Sequence, residues 1–309
     1  MTAVTQTAPS AGPARRFRLA VKGVLFRYSG LRGYILFSPT LLVLLGAMCL
    51  PVGILVLYSF WTQDYIRIDH TPTIANYVAI LQKTSYLLLI GKSILISLAV
   101  TMATVLLAYP IAYFVAFRVT QHKIIWLILI TVPFWTSYLL RVFSWKVILG
   151  YNGVINSALK WLGLVDEPLS FLLHNPFAVV ITLAHAWAPV AILPIFVSLE
   201  KIDRSLLEAA TDLGDGPVAR FLRVTLPLSI PGVVAASMLV FIPTVGDYIT
   251  PQLVGGPDGM MVGNLMHAMF FKANNWPLGS ALAIFSALAI TVTSLSLWLL
   301  TKHARERAR

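Results

Sequence analysis

The chain has 309 residues, of which 58% are hydrophobic and 11% are charged, and its mean hydropathy is +0.81. Soluble domains carry roughly 25% charged residues, so this composition excludes a water-soluble fold and predicts an all-α, polytopic integral membrane protein. The formal net charge of +11 does not indicate nucleic-acid binding, because the basic residues lie in short segments between apolar runs. The single cysteine, Cys49, excludes a disulfide framework and a cysteine-based metal site.

The first 33 residues are small and polar and then become basic. A secretory signal would place a short apolar core earlier and follow it with a small-residue cleavage site. The first apolar run is instead long enough to cross a membrane, so we expect it to remain as an anchor. Residues 1–33 are therefore predicted to form a basic cytoplasmic tail.

Apolar runs of roughly 20 residues, the length of helix that crosses about 30 Å of hydrocarbon, predict about six transmembrane helices. In chain order they lie near Tyr34–Phe60, Leu88–Phe117, Ile124–Trp145, Pro176–Leu199, Leu228–Ile249 and Leu278–Leu300.

The polar segments between these runs alternate in charge. Basic residues concentrate before Tyr34, around residues 118–123, in the stretch 201–223 and after Leu300, whereas three longer segments hold few of them. Basic loops stay on the cytoplasmic side of a membrane, so both termini are expected in the cytoplasm. We expect a transmembrane domain at residues 34–302, with a cytoplasmic loop at about 200–227, and a cytoplasmic tail at 303–309.

The loop around Glu208 is the most polar part of the transmembrane domain. Leu206, Leu207, Ala210 and Leu213 recur at helical spacing and predict a short helix with one apolar stripe. Asp203 could cap this helix, Gly214 could end it, and a second short helix could begin near Pro217. From the residues alone, an ordinary cytoplasmic connector with surface helices is the favoured interpretation of this segment.

A motif in this loop points to a family. Glu208-Ala209-Ala210, followed by Gly214 and then Leu226-Pro227, resembles the EAA loop of the permease subunits of ABC importers. The resemblance implies that the loop inserts a coupling helix into a cleft of an ATPase subunit. The residues that it assigns to ATPase coupling are Glu208, Ala209, Ala210, Asp212, Gly214, Leu226 and Pro227.

Three further stretches, Pro133–Asn156, Phe241–Asn264 and Asn275–Ala283, are similar to spermidine/putrescine-type permeases. The resemblance implies a type I ABC importer permease (MetI-like) fold in the bacterial inner membrane. It also implies a heterodimer with a second permease subunit, two ATPase subunits that bind ATP and Mg²⁺, and a periplasmic solute-binding protein. No cofactor, metal or catalytic residue is then expected in this chain, and its surroundings are membrane lipid.

Four residues are candidates for a substrate pathway. Asp247 lies near the end of the fifth apolar run, where a carboxylate is costly and usually faces a cavity or a partner. Tyr248 could add cation–π attraction, and Trp135 and Tyr138 lie beside a proline break in the third run. Asp247 could instead be an interfacial acid or pair with Lys146 or Arg141, and the aromatic residues could simply pack between helices. Arg141 and Lys146 would repel a polycation, which favours roles in orienting the helix or docking the binding protein.

These observations predict a permease subunit of an ATP-driven importer for polyamines or a related cationic or amine-bearing solute. The alternatives are a permease for another small solute, such as an opine or an amino acid, and a stand-alone secondary transporter. The sequence contains no HExxH or GxSxG motif and no paired intramembrane carboxylates, which argues against an intramembrane enzyme. It also lacks a phosphate-binding loop of the GxxxxGK[ST] type.

Overall fold

The computed structural model describes residues 29–65 and 67–307, and the chain divides into two units, Met1–Leu55 and Val56–Arg309. Most of the predicted basic tail, residues 1–28, and the last two residues lie outside the described part. The helices and strands are, in chain order, α1 (Ser29–Ser59), β1 (Thr62–Asp64), β2 (Arg67–Asp69), α2 (Ala75–Gln82), α3 (Thr84–Phe117), α4 (Lys123–Thr131), α5 (Tyr138–Leu149), α6 (Val154–Trp161), α7 (Pro176–Glu200), α8 (Arg204–Asp212), α9 (Pro217–Val245), α10 (Val262–Phe271) and α11 (Trp276–Arg307). Shorter helical turns lie at Val132–Trp135, Ser170–Leu172, Pro251–Gly255 and Gly256–Gly259.

Within the described residues, five helices are long and apolar enough to cross a membrane, and the count rises to six if one bent pair is a single span. The five helical stretches are Phe37–Ser59, Thr84–Phe117, Pro176–Glu200, Pro217–Val245 and Trp276–Leu299. The prediction of an all-α membrane protein with about six spanning helices is confirmed.

The third predicted span is not one continuous helix. Its two parts, Lys123–Trp135 and Tyr138–Trp161, meet at an angle of 82°. Pro133 lies in the tight turn at the end of the first part, and Thr136 is extended, with φ −75° and ψ 156°. Proline removes one backbone donor and restricts its neighbours, so the helix ends there and restarts in a new direction.

The fifth predicted span begins earlier than its apolar run. α9 starts at Pro217 and passes through a wide π-helical turn, Phe221–Thr225, into the regular helix Leu226–Val245. The expected second short helix is therefore continuous with the span. The wide turn lies just before Pro227, whose ring would clash with a carbonyl oxygen of the preceding turn in a regular helix.

The described part of the first unit is the stretch of α1 from Ser29 to Leu55. From Phe37 onward its large apolar side chains are exposed, and they include Leu42, Val43 and Met48. A helix that is apolar around its whole circumference is typical of a segment that faces lipid or other helices.

The second unit is built on α3, α7 and α9, which pack against one another. Buried side chains from all three helices form the main core, among them Val100, Ala108, Leu183, Ile195 and Val240. Gly232 of α9 lies so close to α7 that an added Cβ would be 2.4 Å from the carbonyl oxygen of Pro194. Small residues permit such close approach, which drives helix association in membranes through van der Waals contact.

A short antiparallel hairpin follows α1. β1 pairs with β2 so that Thr62 faces Asp69 and Asp64 faces Arg67. The Gln63 side chain donates a hydrogen bond to the carbonyl oxygen of Asn274 (2.7 Å) and accepts one from the backbone N–H of Trp276 (3.2 Å). These bonds join two of the three polar segments that hold few basic residues.

Candidate functional site

The helix of the Glu208 loop (residues 200–227) begins where the sequence predicts. The Asp203 carboxylate accepts a hydrogen bond from the backbone N–H of Ser205 at 3.0 Å, immediately before α8. This bond favours the ionised carboxylate, so it holds the pKa of Asp203 below its ordinary value. Asp203 therefore caps a helix start that would otherwise leave backbone donors without partners.

The end of α8 is also the predicted one. Gly214 has φ +91°, and its N–H donates to the carbonyl oxygen of Thr211 at 2.9 Å. The N–H of Asp215 donates to the carbonyl oxygen of Ala210 at 3.0 Å. This pair of bonds is the Schellman arrangement, in which glycine is favoured because its left-handed backbone costs no Cβ clash.

The two faces of α8 differ in exposure. Ala210 is buried, and Leu207 packs in part against the main core. Glu208, Ala209 and Asp212 are exposed. The helix therefore rests on the spanning helices through one side and leaves its acidic side, together with the small Ala209, exposed.

Side-chain contacts hold α8 against α9. Arg220 donates a hydrogen bond to the Thr211 hydroxyl at 2.8 Å, and Arg223 forms an ion pair with Asp215 at 2.7 Å. Leu226 and Pro227 are half-buried in the first turns of the regular part of α9. These contacts tie the Glu208 loop to a spanning helix.

Aromatic contacts connect the same loop to α3. The Phe221 ring meets the Tyr109 ring edge-on at 5.7 Å and the Tyr113 ring at 6.2 Å. The Tyr109 hydroxyl also shares a hydrogen bond with the Ser229 hydroxyl at 2.8 Å. Two of the three core helices are thus joined at the base of the loop.

The surface of the loop combines charged and apolar groups. Glu208 and Asp212 line a groove of about 440 Å³ whose rim also carries Arg118, Arg204 and Arg220. Beside the groove, Leu213 is 88% exposed and Val218 is 71% exposed. Exposed apolar side chains rimmed by charges are typical of a protein interaction surface.

A second candidate site lies where α9 ends. Asp247 follows Val245 and Gly246, and its carboxylate accepts hydrogen bonds from the Tyr138 hydroxyl at 2.6 Å and the backbone N–H of Ile249 at 3.0 Å. Since Tyr138 donates its one hydroxyl proton to Asp247, its 2.6 Å contact with Thr250 is a bond donated by threonine.

Asp247 has neither of the ion-pair partners considered from sequence. Within the described residues the ion pairs are Lys123–Glu200 and Arg223–Asp215. Lys146 lies over the Phe143 ring, with its nitrogen 5.9 Å from the ring centre. The interpretation of Asp247 as half of an ion pair with Lys146 or Arg141 is therefore wrong.

Asp247 lines a cavity of about 320 Å³. We call it the outer cavity because the charge pattern of the loops predicts that this end of the helices faces away from the cytoplasm. Its walls are Phe134, Tyr138, Arg141, Ala186, Trp187, Pro243, Gly246, Asp247 and Tyr248. The break between α4 and α5 and the end of α9 both open onto it. Irregular backbone at membrane depth is tolerated where it lines such a cavity.

Three of the four predicted pathway residues meet in the outer cavity. Tyr138, Asp247 and Tyr248 line it, and the Tyr248 ring stacks on His267 at 4.7 Å. Trp135 does not line it and is 85% exposed. Trp135 ends the tight turn that contains Pro133, and its side chain does not lie on the cavity face where Tyr138 lies.

Among the lining residues that the sequence did not assign to the pathway, Arg141 and Trp187 carry polar hydrogen-bond donors. Arg141 was assigned an orienting or docking role, yet its guanidinium lies 5.8 Å from the centre of the Tyr138 ring. The spacing of Tyr138 and Arg141, three residues apart on one helix, places both on the same face and could have indicated this. Trp187 carries no comparable signal in its local sequence. Within the described residues, no cluster of three His, Cys, Asp or Glu side chains could hold a metal ion.

Comparison with known proteins identifies the class. Residues 47–308 match the family described as binding-protein-dependent transport system inner membrane component. The match covers most of the chain, so the protein belongs to this family and is a transport permease component of the inner membrane.

Individual relatives cover most of the chain. It is 33% identical over 250 residues to the spermidine/putrescine transport system permease protein PotB of Escherichia coli K12, covering 81% of this chain and 90% of that protein. It is 35% identical over 236 residues to the Haemophilus influenzae PotB, covering 76% and 82%. It is also 33% identical over 250 residues to the E. coli inner membrane ABC transporter permease protein YdcU, covering 76% and 78%.

Solved structures support the fold assignment. A bacterial ABC transporter that imports the acidic polysaccharide alginate matches with a TM-score of 0.64 at 17% identity, covering 93% of this chain and 99% of that chain. The alginate transporter in complex with its pentasaccharide-bound periplasmic protein matches with a TM-score of 0.67 at 18% identity, covering 92% and 96%. At such low identity these likenesses establish the fold alone, which is the expected MetI-like permease fold.

Proposed function

We propose that this chain is a permease subunit of an ATP-driven importer for polyamines or a related cationic or amine-bearing solute. The names of its PotB relatives support the solute class. The subunit catalyses no reaction, and ATP and Mg²⁺ bind to partner ATPase subunits. Its task is to change the accessibility of a membrane route when those partners move.

The observation that carries the proposal is the construction of the Glu208 loop. A capped helix with an exposed acidic side is joined by hydrogen bonds, an ion pair and ring contacts to two core helices. In this arrangement Glu208 and Asp212 make charge-assisted bonds to an ATPase, and Ala209 allows close approach. Gly214 sets the bend, and the buried Ala210 seats the helix. Leu226 and Pro227 begin the regular part of α9, which carries the motion into the membrane.

The outer cavity is the proposed solute contact on the other side of the core. Asp247 supplies a negative charge, and Tyr138 and Tyr248 supply polar and aromatic surface. Pro243 and Gly246 shape the end of α9 beside it. Trp135 would complete the aromatic wall only where a neighbouring subunit encloses it.

The proposed assembly contains a second permease, two ATPase subunits and a periplasmic solute-binding protein. The membrane domain spans residues 34–302 with tails at 1–33 and 303–309, and both termini lie in the cytoplasm with the Glu208 loop. The concentration of arginine around that loop supports this orientation, because basic segments remain cytoplasmic.

The coupling role is tested by reversing one charge. Glu208→Lys should reduce solute-stimulated ATP hydrolysis by about tenfold or more, since a charge-assisted hydrogen bond contributes roughly 1.5–3 kcal/mol. Glu208→Gln should give a smaller loss. Solute-stimulated ATP hydrolysis is measured on the purified complex. Co-purification of the ATPase with the permease then reports assembly, and ATP-driven uptake into vesicles reports coupling.

Glu167→Lys is the matched control, because it reverses an exposed charge in a segment predicted to lie outside the cell. It should leave ATPase co-purification unchanged. Normal ATPase binding and coupled uptake in Glu208→Lys would refute the coupling role. Uptake driven by an ion gradient without the ATPase would favour a secondary transporter instead.

A further inference from the structure

The outer cavity contains a positive side chain that a route for pure polycations would not favour. Arg141 projects from α5 into the cavity that also holds Asp247. Its guanidinium carbon lies 5.3 Å from the centre of the Phe134 ring and 5.8 Å from the centre of the Tyr138 ring. A diamine entering this space would meet one attractive and one repulsive charge, and the two oppose each other.

The hydrogen-bonding capacity of Arg141 is mostly unused. One terminal nitrogen donates to the carbonyl oxygen of Ala186 at 2.8 Å. Its Nε–H is shielded from solvent and has no acceptor among the described residues. A guanidinium offers five N–H donors in a planar fork that suits a carboxylate. Among the described residues, Arg141 therefore retains N–H donors that have no acceptor.

Trp187 has a second buried N–H donor without an acceptor among the described residues. Its ring lines the outer cavity from α7, and its indole N–H is likewise shielded and unpartnered within the part of the chain that the structure describes. Leaving such a buried donor unsatisfied costs about 1–3 kcal/mol. Neither nitrogen is accessible to solvent in this conformation, so an acceptor in the cavity reaches them only after a side-chain rotation.

The carboxylate that lines the cavity is held in place by hydrogen bonds. Asp247 is held by the Tyr138 hydroxyl and the backbone N–H of Ile249. Arg141 lies over the ring of that same tyrosine, so the two charges are arranged around one phenol. A solute lying across the Tyr138 ring would place one end near the carboxylate and the other near the guanidinium.

We infer that Arg141 and Trp187 form an acceptor-binding subsite facing the Asp247 site, so the preferred solute carries a carboxylate as well as an ammonium group. This inference rests on the proposed function and narrows its solute class from amine-bearing solutes to amino carboxylates. The cavity's opposite charges and its unpaired donors match the two ends of such a zwitterion. A diamine matches the Asp247 end alone, because it has no acceptor for the Arg141 end.

Two probes of nearly the same structure distinguish a diamine from an amino carboxylate. Putrescine and 5-aminopentanoate share one ammonium group and four methylenes and differ in having a second ammonium or a carboxylate. Equilibrium binding of each radiolabelled probe is measured on the assembled permease–ATPase complex in nanodiscs. The binding protein is omitted so that its own selectivity does not contribute.

The wild-type complex should bind 5-aminopentanoate about tenfold more tightly than putrescine, as expected for charge-assisted hydrogen bonds. Arg141→Gln should remove that preference while leaving putrescine binding unchanged or tighter, and Arg141→Lys should restore part of it. Trp187→Phe, which keeps the ring and removes the N–H, should weaken 5-aminopentanoate alone by about threefold. Asp247→Asn should weaken both probes.

Lys146→Gln is the matched control, since Lys146 is a cation on the same helix that does not line the cavity. It should change neither affinity. Tighter putrescine binding to the wild type, an equal effect of Arg141→Gln on both probes, or binding of neither probe would overturn the inference.

ATP-driven uptake by the complete transporter, with its binding protein, tests the solute preference separately from the proposed function as a permease subunit. A transporter that imports putrescine with ATP and prefers it overturns the inference but supports the proposed function. A complex that imports neither probe and whose accumulation of solutes is independent of ATP overturns the proposed function itself.

Discussion

A close approach between the core helices α7 and α9 makes Gly232 a sensitive position. A Cβ added there would lie 2.4 Å from the carbonyl oxygen of Pro194, 2.5 Å from the Cβ of Ser198 and 3.0 Å from the Cα of Ile195. Carbon atoms prefer separations of about 3.5–4.0 Å, so Gly232→Ala requires α7 and α9 to separate by roughly 1 Å. Most of the opposing atoms belong to helix backbone and cannot rotate away.

The expected change in the free energy of unfolding of Gly232→Ala combines two opposing effects. Overpacking a tight contact costs about 1–3 kcal/mol, whereas replacing glycine by alanine inside a helix returns up to about 1 kcal/mol. With overpacking in the middle of its range and the full return subtracted, the net destabilisation is about 1 kcal/mol. Because the same pair of helices supports both the Glu208 loop and the outer cavity, transport activity should fall with stability.

Unfolding by a denaturing detergent in mixed micelles measures this loss. Gly91→Ala in α3 is the matched control, since an added Cβ there meets nothing within 4 Å. It should be neutral or slightly stabilising. A Gly232→Ala protein as stable as the wild type would refute the reasoning that α7 and α9 touch at van der Waals distance.

Two further predictions concern the Glu208 loop. Gly214→Ala places an L-residue at φ +91° and should destabilise the end of α8 by about 1–2 kcal/mol, seen as faster amide exchange and weaker ATPase co-purification. Gly216→Ala, where φ is −67° and no atom lies within 4 Å of an added Cβ, should have neither effect. Because the folded-state pKa of Asp203 is depressed, its capping contribution is present above the ordinary aspartate pKa of about 3.9. It is lost as the pH falls through the lower folded value, so amide exchange in α8 should rise there, and Asp203→Asn, which retains a capping oxygen, should flatten this dependence.

Local features of the Glu208 loop were predictable from sequence. Asp203 at the start, Gly214 at the end and Pro217 at the next start are signals read over three or four residues. Their geometry depends on nearby backbone groups, so no distant part of the chain was needed to anticipate it. The same holds for the apolar runs, because the thickness of the membrane fixes the length of a spanning helix.

The candidate pathway was only partly predictable. The proline at residue 133 indicated a break, but the 82° angle between the two halves depends on how each half packs. That angle places Tyr138 against Asp247 and leaves Trp135 exposed. The place of Arg141 in the cavity was not predictable, because a charge pattern along one helix does not identify the helix it faces.

The sequence by itself determined the membrane class, the approximate number of spanning helices and the limits of α8, since hydrophobicity and capping act over short stretches of chain. Tertiary structure alone decided that the loop joins α9 without interruption and that Asp247 binds Tyr138 instead of a cation. It also brought Arg141 and Trp187, which are 46 residues apart in the sequence, into one cavity. Such groupings arise because side chains on separate helices meet only when the helices pack, and the packing depends on contacts along their whole lengths.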